Sequence, residues 1–67
     1  MSELKPNITI LELRARVRMT QAEFGASVGV SAQTVSSWEK DIYSISQENL
    51  IKVCKKYNIS SKDLLGI

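Results

Sequence analysis

The stretch Thr20 to Asp41, TQAEFGASVGVSAQTVSSWEKD, constrains the fold more than any other part of the chain. It contains two short amphipathic segments. Phe24 and Val28 stand i, i+4 apart in the first, and Val35 and Trp38 stand i, i+3 apart in the second, so each carries one apolar ridge at the helical period. Gly29, Val30 and Ser31 lie between the ridges. A glycine that closes a helix can take the left-handed backbone conformation that a Cβ resists. Ser31 is then placed to accept a backbone N–H at the start of the next helix. Gly25 faces the second segment, where a missing side chain lets two backbones cross closely. Thr20, with Glu23 three residues on, forms a capping box ahead of the first segment. The pattern predicts one helix from Gln21 to the glycine turn and a second over Ala32 to Lys40.

Helix, glycine turn, capped helix is the layout of a helix-turn-helix. The residues at fixed offsets make the likeness specific: Thr20, Gln21, Phe24, Gly29, Val30, Ser31, Val35, Ser36, Trp38 and Glu39. In these positions the stretch resembles the DNA-binding motif of the lambda-repressor-like family, of the Cro and phage-repressor type. Gly25 departs from the usual alanine. The resemblance implies an all-α fold, a compact bundle of five short helices, over a single domain from 1 to 67. It also implies that Arg14 pairs with Glu39, tying the first helix to the end of the third. A DNA phosphate is implied at Gln21, in the first turn of helix two, where free N–H groups and the helix dipole favour an anion.

The flanks extend the pattern. Residues 1–7 are polar, include the only proline and read as a flexible arm. Ile10, Leu13 and Val17 line one face of a first helix that begins near Ile8 or Thr9 and ends at Val17. Arg18 stands where relatives usually place glycine, so a differently shaped loop is expected, with Arg18 free to meet a phosphate. Lys40 and Asp41 replace a variable residue and a glycine, which predicts a less sharp exit from helix three. Ser46 caps a fourth helix over Gln47–Tyr57, in which Leu50, Val53, Cys54 and Tyr57 face inward. Relatives usually have proline at Ile45 and leucine at Gln47, so a slightly looser start is expected. Asn58 is suited to a left-handed helix end, with Ile59 turned inward after it. Ser60 and Asp63 resemble a capping box for a short fifth helix. Leu64, Leu65 and Ile67 are candidates either for a two-fold contact or for closing the core.

The outer face of helix three is chemically unusual. With Val35 and Trp38 turned one way, Gln33, Ser36, Ser37 and Lys40 fan across the other side. A solvated helix face is normally built from Glu and Lys, which favour helix. Serine sacrifices helix propensity, and glutamine and serine together offer hydrogen-bonding versatility, which suits base edges in a major groove. Gln33 can bond adenine N6 and N7 together, and Ala32 can approach a thymine methyl. The candidate DNA contacts are Gln33 and Ser37 as principal base readers and Ala32, Thr34 and Ser36 as secondary ones. Gln21, Lys40 and the following loop are candidates for phosphates. In that loop Tyr43 and Ser44 either bond a phosphate or, for the tyrosine, pack sideways.

Composition narrows the alternatives. The net charge of +2 permits nucleic-acid binding without arguing for it. The chain has no histidine and only one cysteine, Cys54, so a metal site or an internal disulfide is not expected. Cys54 falls in the apolar row of helix four and reads as a small core hydrophobe. Without a glycine-rich phosphate loop or a grouped set of bases and nucleophiles, no enzyme activity and no cofactor is expected. No apolar run approaches the ~20 residues needed to cross a bilayer, and a cytoplasmic protein is expected. At 67 residues the chain makes one domain. The partner implied is double-stranded DNA with a palindromic operator, bound by a weak or DNA-assisted homodimer of a transcriptional regulator. The alternative is an antitoxin or co-regulator that uses the same scaffold to dock a protein.

Overall fold

The helices form where capping and periodicity coincide. The computed structural model describes residues 8–66; the N-terminal arm and Ile67 lie outside them. The α-helices run α1 Ile10–Val17, α2 Gln21–Val28, α3 Ala32–Lys40, α4 Gln47–Tyr57 and α5 Ser61–Leu65, with a 3-10 helix Ile42–Ser44 between α3 and α4. Thr9, Thr20 and Ser60 each close a full capping box, with Glu12, Glu23 and Asp63 at the third helical position. Ser31 and Ser46 cap α3 and α4 by accepting from Thr34 N–H and Asn49 N–H. Each such cap satisfies N–H groups that have no partner inside the helix and contributes about 1 kcal/mol.

The core is a single cluster drawn from every α-helix: Ile8 and Ile10, Leu13, Phe24, Val28, Val35, Trp38, Val53 and Leu64. Phe24, Val35, Val53 and Leu64 are fully enclosed. The Phe24 ring stacks on Tyr57, with centroids 5.0 Å apart and planes 14° apart. The Tyr57 hydroxyl lies 2.7 Å from Ser27 Oγ, which itself donates to the Phe24 carbonyl at 2.6 Å. α4 is thereby tied to α2 by both an apolar and a polar contact. Ile8 N–H donates to the Asp63 carbonyl at 3.2 Å and joins the start of the described chain to α5. Among the described residues, no buried side-chain nitrogen or oxygen lacks a hydrogen-bond partner, and no helix is long and apolar enough to cross a membrane.

Three expectations change. Arg18 does not reshape its loop: it takes the left-handed conformation itself, at φ 56°, and its N–H bonds back to α1 as a glycine's would. The exit from α3 is sharp without a glycine. Asp41 becomes extended, at φ −153° and ψ 101°, and its carboxylate accepts Tyr43 N–H to start the 3-10 turn. A capping side chain here does what backbone freedom would otherwise do. Gly25 meets the turn rather than the body of the second helix. A Cβ built on it would lie 2.6 Å from the Val30 carbonyl oxygen and 3.0 Å from that of Ser31. Leu64 closes the monomer core, while Leu65 is half-buried.

Candidate nucleic-acid interface

α2 and α3 are joined by a turn fixed at both ends. Gly29 closes α2 at φ 79°, with open space where a side chain would be. Val30 N–H then donates to the Gly25 carbonyl at 2.8 Å, and Ser31 begins α3. The Val35–Trp38 ridge is buried, with Val35 at 0% and Trp38 at 3% exposure. The opposite face must therefore point to solvent, and it does. Gln33, Ser37 and Lys40 are exposed, and Ala32, Thr34 and Ser36 are half-buried. No polar side chain among the described residues is buried.

A carboxylate holds this face in place. Arg14 Nε donates to Glu39 Oε2 at 2.7 Å and its Nη2 to Oε1 at 3.4 Å, a forked contact between α1 and the last turn of α3. Arg14 Nη1 also donates to the Met19 carbonyl at 3.1 Å. Gln21 Nε2 from the first turn of α2 reaches Glu39 Oε1 at 2.9 Å. One carboxylate thus fastens three helices. The side chains of Arg14 and Glu39 are only 18% and 14% exposed. Burial pushes the Glu39 carboxyl up, but hydrogen bonds from Arg14 and Gln21, with the Arg14 charge, outweigh it, and the pKa lies below its ordinary value. Glu39 is therefore an anion at neutral pH, and the Arg14 charge is met.

The other candidate residues differ in what they have free. One N–H of the Gln21 amide serves Glu39, which leaves its second N–H and the backbone at the head of α2 to meet an anion. There the first N–H groups lack an acceptor within the helix, except that Thr20 Oγ1 takes Glu23 N–H. Tyr43 is 56% exposed, but its hydroxyl donates to the Leu65 carbonyl and pins the loop to α5. The Ser44 hydroxyl donates to the Asp41 carbonyl at 2.7 Å. A phosphate accepts and never donates, so neither hydroxyl can serve one without giving up its present acceptor. Lys40 is exposed and enters no ion pair with the described residues. Thr34 Oγ1 lies 3.0 Å from Ser31 Oγ, and the Ser37 hydroxyl donates to the Gln33 carbonyl at 3.2 Å. Cys54, half-buried on α4, has its thiol pushed up by burial and by the Asp63 charge, which favours the neutral, unreactive form.

The Gln21–Glu39 bond, the Tyr43 bridge to α5 and the Tyr57–Ser27 contact join residues distant in the chain. No spacing rule points to them.

A family model described as helix-turn-helix matches residues 10–64. The chain belongs to the lambda-repressor-like helix-turn-helix family. It is 38% identical over 58 residues to the uncharacterized HTH-type transcriptional regulator YgzD of Bacillus subtilis, covering 87% of this chain and 88% of that protein. It is 37% identical over 57 residues to the antitoxin PezA of Streptococcus pneumoniae. That match covers 85% of this chain but only 36% of the antitoxin's length. No solved structure matches the chain significantly. The matched residues of this helix-turn-helix domain run from the first residue of α1 to Leu64, so they include the Arg14–Glu39 fastening and the whole of α3.

Proposed function

We propose that this helix-turn-helix domain is a sequence-specific double-stranded DNA-binding transcriptional regulator of the phage-repressor or Cro type, without enzyme activity. α3 enters the major groove, Gln33 and Ser37 read base edges, and Ala32, Thr34 and Ser36 make closer, secondary contacts. Lys40 and the head of α2 at Gln21 meet phosphates. Tyr43 and Ser44 join them only if their hydroxyls exchange a carbonyl for a phosphate. The observation that carries this reading is the outward face of α3, with Gln33, Ser37 and Lys40 exposed, opposite a buried Val35–Trp38 ridge. Its serines give up helix propensity, and with Gln33 they supply donors and acceptors.

One module of this size buries only about 600–1,000 Å² on DNA, at the small end for specific recognition. A homodimer on a palindromic operator, with half-sites about one helical turn apart, raises the affinity. Leu64 is inside the core and unavailable for that contact. The cleft of about 290 Å³ between α4 and α5, lined in part by Leu50, Ile51, Cys54 and Ile59, is the better candidate. Ile51 is 46% exposed beside it.

The antitoxin relative favours a second reading, in which the domain is a protein-interaction module of an antitoxin or co-regulator that docks a protein on the same scaffold. Selection of bound duplexes from a random pool separates the two. The DNA-binding regulator enriches one motif with two-fold symmetry. A pure docking module enriches nothing.

A further inference from the structure

The hydroxyl proton of Ser37 is directed back along the helix. Its Oγ donates to the Gln33 carbonyl at 3.2 Å, one helical turn back on the same face. Gln33 and Ser37 stand i, i+4 and both are exposed, so both present their outer atoms to whatever the face meets. With its proton directed to a main-chain carbonyl, Ser37 offers the outside only lone pairs. Nearer the start of α3, Thr34 and Ser31 share one hydrogen bond between their hydroxyls, in which one donates and the other accepts. Donors on this face come from the Gln33 amide, Lys40 and the Ser36 hydroxyl, whereas Ser37 contributes an acceptor.

We propose that Ser37 is a specificity residue that accepts from an exocyclic amine, and so selects adenine or cytosine over guanine or thymine on the strand it faces. This rests on the reading of α3 as the groove-entering helix. In the major groove adenine N6 and cytosine N4 are the amine donors, while guanine O6 and thymine O4 are acceptors. Opposite an acceptor, the Ser37 hydroxyl has to leave the Gln33 carbonyl or leave two lone pairs facing each other. Every base pair carries one amine in the major groove, so Ser37 reads which strand carries it. Exchanging A·T for C·G is tolerated at that position, and inverting either pair is not.

The test uses the duplex enriched from a random pool, with all four base pairs placed in turn at each position. Binding is measured for the full chain and for Ser37→Ala, a change at an exposed helical site that favours helix. One neutral hydrogen bond corresponds to about a two- to tenfold preference. The wild type should prefer A or C by that factor at one position per half-site, and Ser37→Ala should abolish the preference there alone. If the preference lost with Ser37→Ala is for G or T, Ser37 donates and the proposal is wrong. An unchanged profile at every position overturns it equally, because Ser37 then reads nothing. Failure of the wild type to bind any duplex is a separate result, and it overturns the DNA-binding reading itself.

Discussion

Replacing Gly25 by alanine sets two effects of known size against each other. Gly25 lies inside α2, where alanine gains roughly 0.5–1 kcal/mol in helix stability over glycine. Its new methyl would sit 2.6 Å from the Val30 carbonyl oxygen, whereas ordinary contacts begin near 3.4 Å. The turn must therefore retreat by about 0.8 Å, the difference of those two distances. That retreat stretches the 2.8 Å bond from Val30 N–H to the Gly25 carbonyl and shifts Ser31, the cap of α3. Overpacking of this kind costs typically about 1–3 kcal/mol. The net expectation is a loss of about 1–2 kcal/mol and, for a domain of this size, a Tm lower by roughly 5–15 °C. DNA affinity should fall by more than the unfolded fraction explains, since the reading helix is displaced. Gly29→Ala is the control. There is open space around that position, but φ is +79°, so the cost is backbone strain alone, about 1 kcal/mol, with the turn left in place. Urea titration followed by circular dichroism measures both variants. If Gly25→Ala is as stable as the wild type or more so, the close approach of turn to helix is wrong.

Further expectations follow from the fastening carboxylate and the loops. The Glu39 pKa is lowered in the folded state, so its contribution is complete above the ordinary value of 4.5 and is lost as pH falls through and below it. Glu39→Gln should destabilise by about 1–3 kcal/mol at neutral pH, because Arg14 loses its counter-charge. It should also flatten the acid limb of a stability-versus-pH curve; an unchanged limb would show that another carboxyl governs it. Arg18→Gly relieves a left-handed arginine and should raise stability by up to about 1 kcal/mol in thermal melts. If Arg18 also meets a phosphate, the same variant binds DNA more weakly. Gln33→Ala should relax preference at one base position in a binding panel, while Lys40→Ala weakens all sequences alike. Ile51→Glu should weaken binding to a palindromic duplex while leaving half-site affinity unchanged, as seen in band-shift titrations.

Much of the fold was legible because each helix announces itself locally. Thr20–Glu23 and Ser60–Asp63 gave helix starts, Gly29 and Asn58 gave left-handed ends, and the ridges gave the inward faces. These are interactions within about four residues, which spacing can report. Two of the three departures share a cause. Arg18 and Asp41 achieve the geometry that glycine usually supplies, one by tolerating strain and one by side-chain capping. For the candidate site, the outward face of α3 followed from periodicity. Which hydroxyls are free there and in the following loop did not: Ser37 and Ser44 bond carbonyls four and three residues back, a rotamer choice that spacing leaves open, and Tyr43 reaches the Leu65 carbonyl, which only the folded chain brings near. The triple contact at Glu39 was half legible: resemblance supplied Arg14, but nothing in the sequence pointed to Gln21 as the third member.

The most direct measurement is the salt dependence of binding to the enriched duplex, for the wild type, Gln33→Ala and Lys40→Ala. With α3 in the groove and cations on phosphates, log K falls linearly with log[salt], by about 0.9 per phosphate neutralised. Lys40→Ala should shallow that slope by about one, and Gln33→Ala should lower K with the slope unchanged. Absence of duplex binding at low salt would contradict the proposed function outright. Slopes and preferences identical in all three proteins would show that the exposed face of α3 is not the surface that meets DNA.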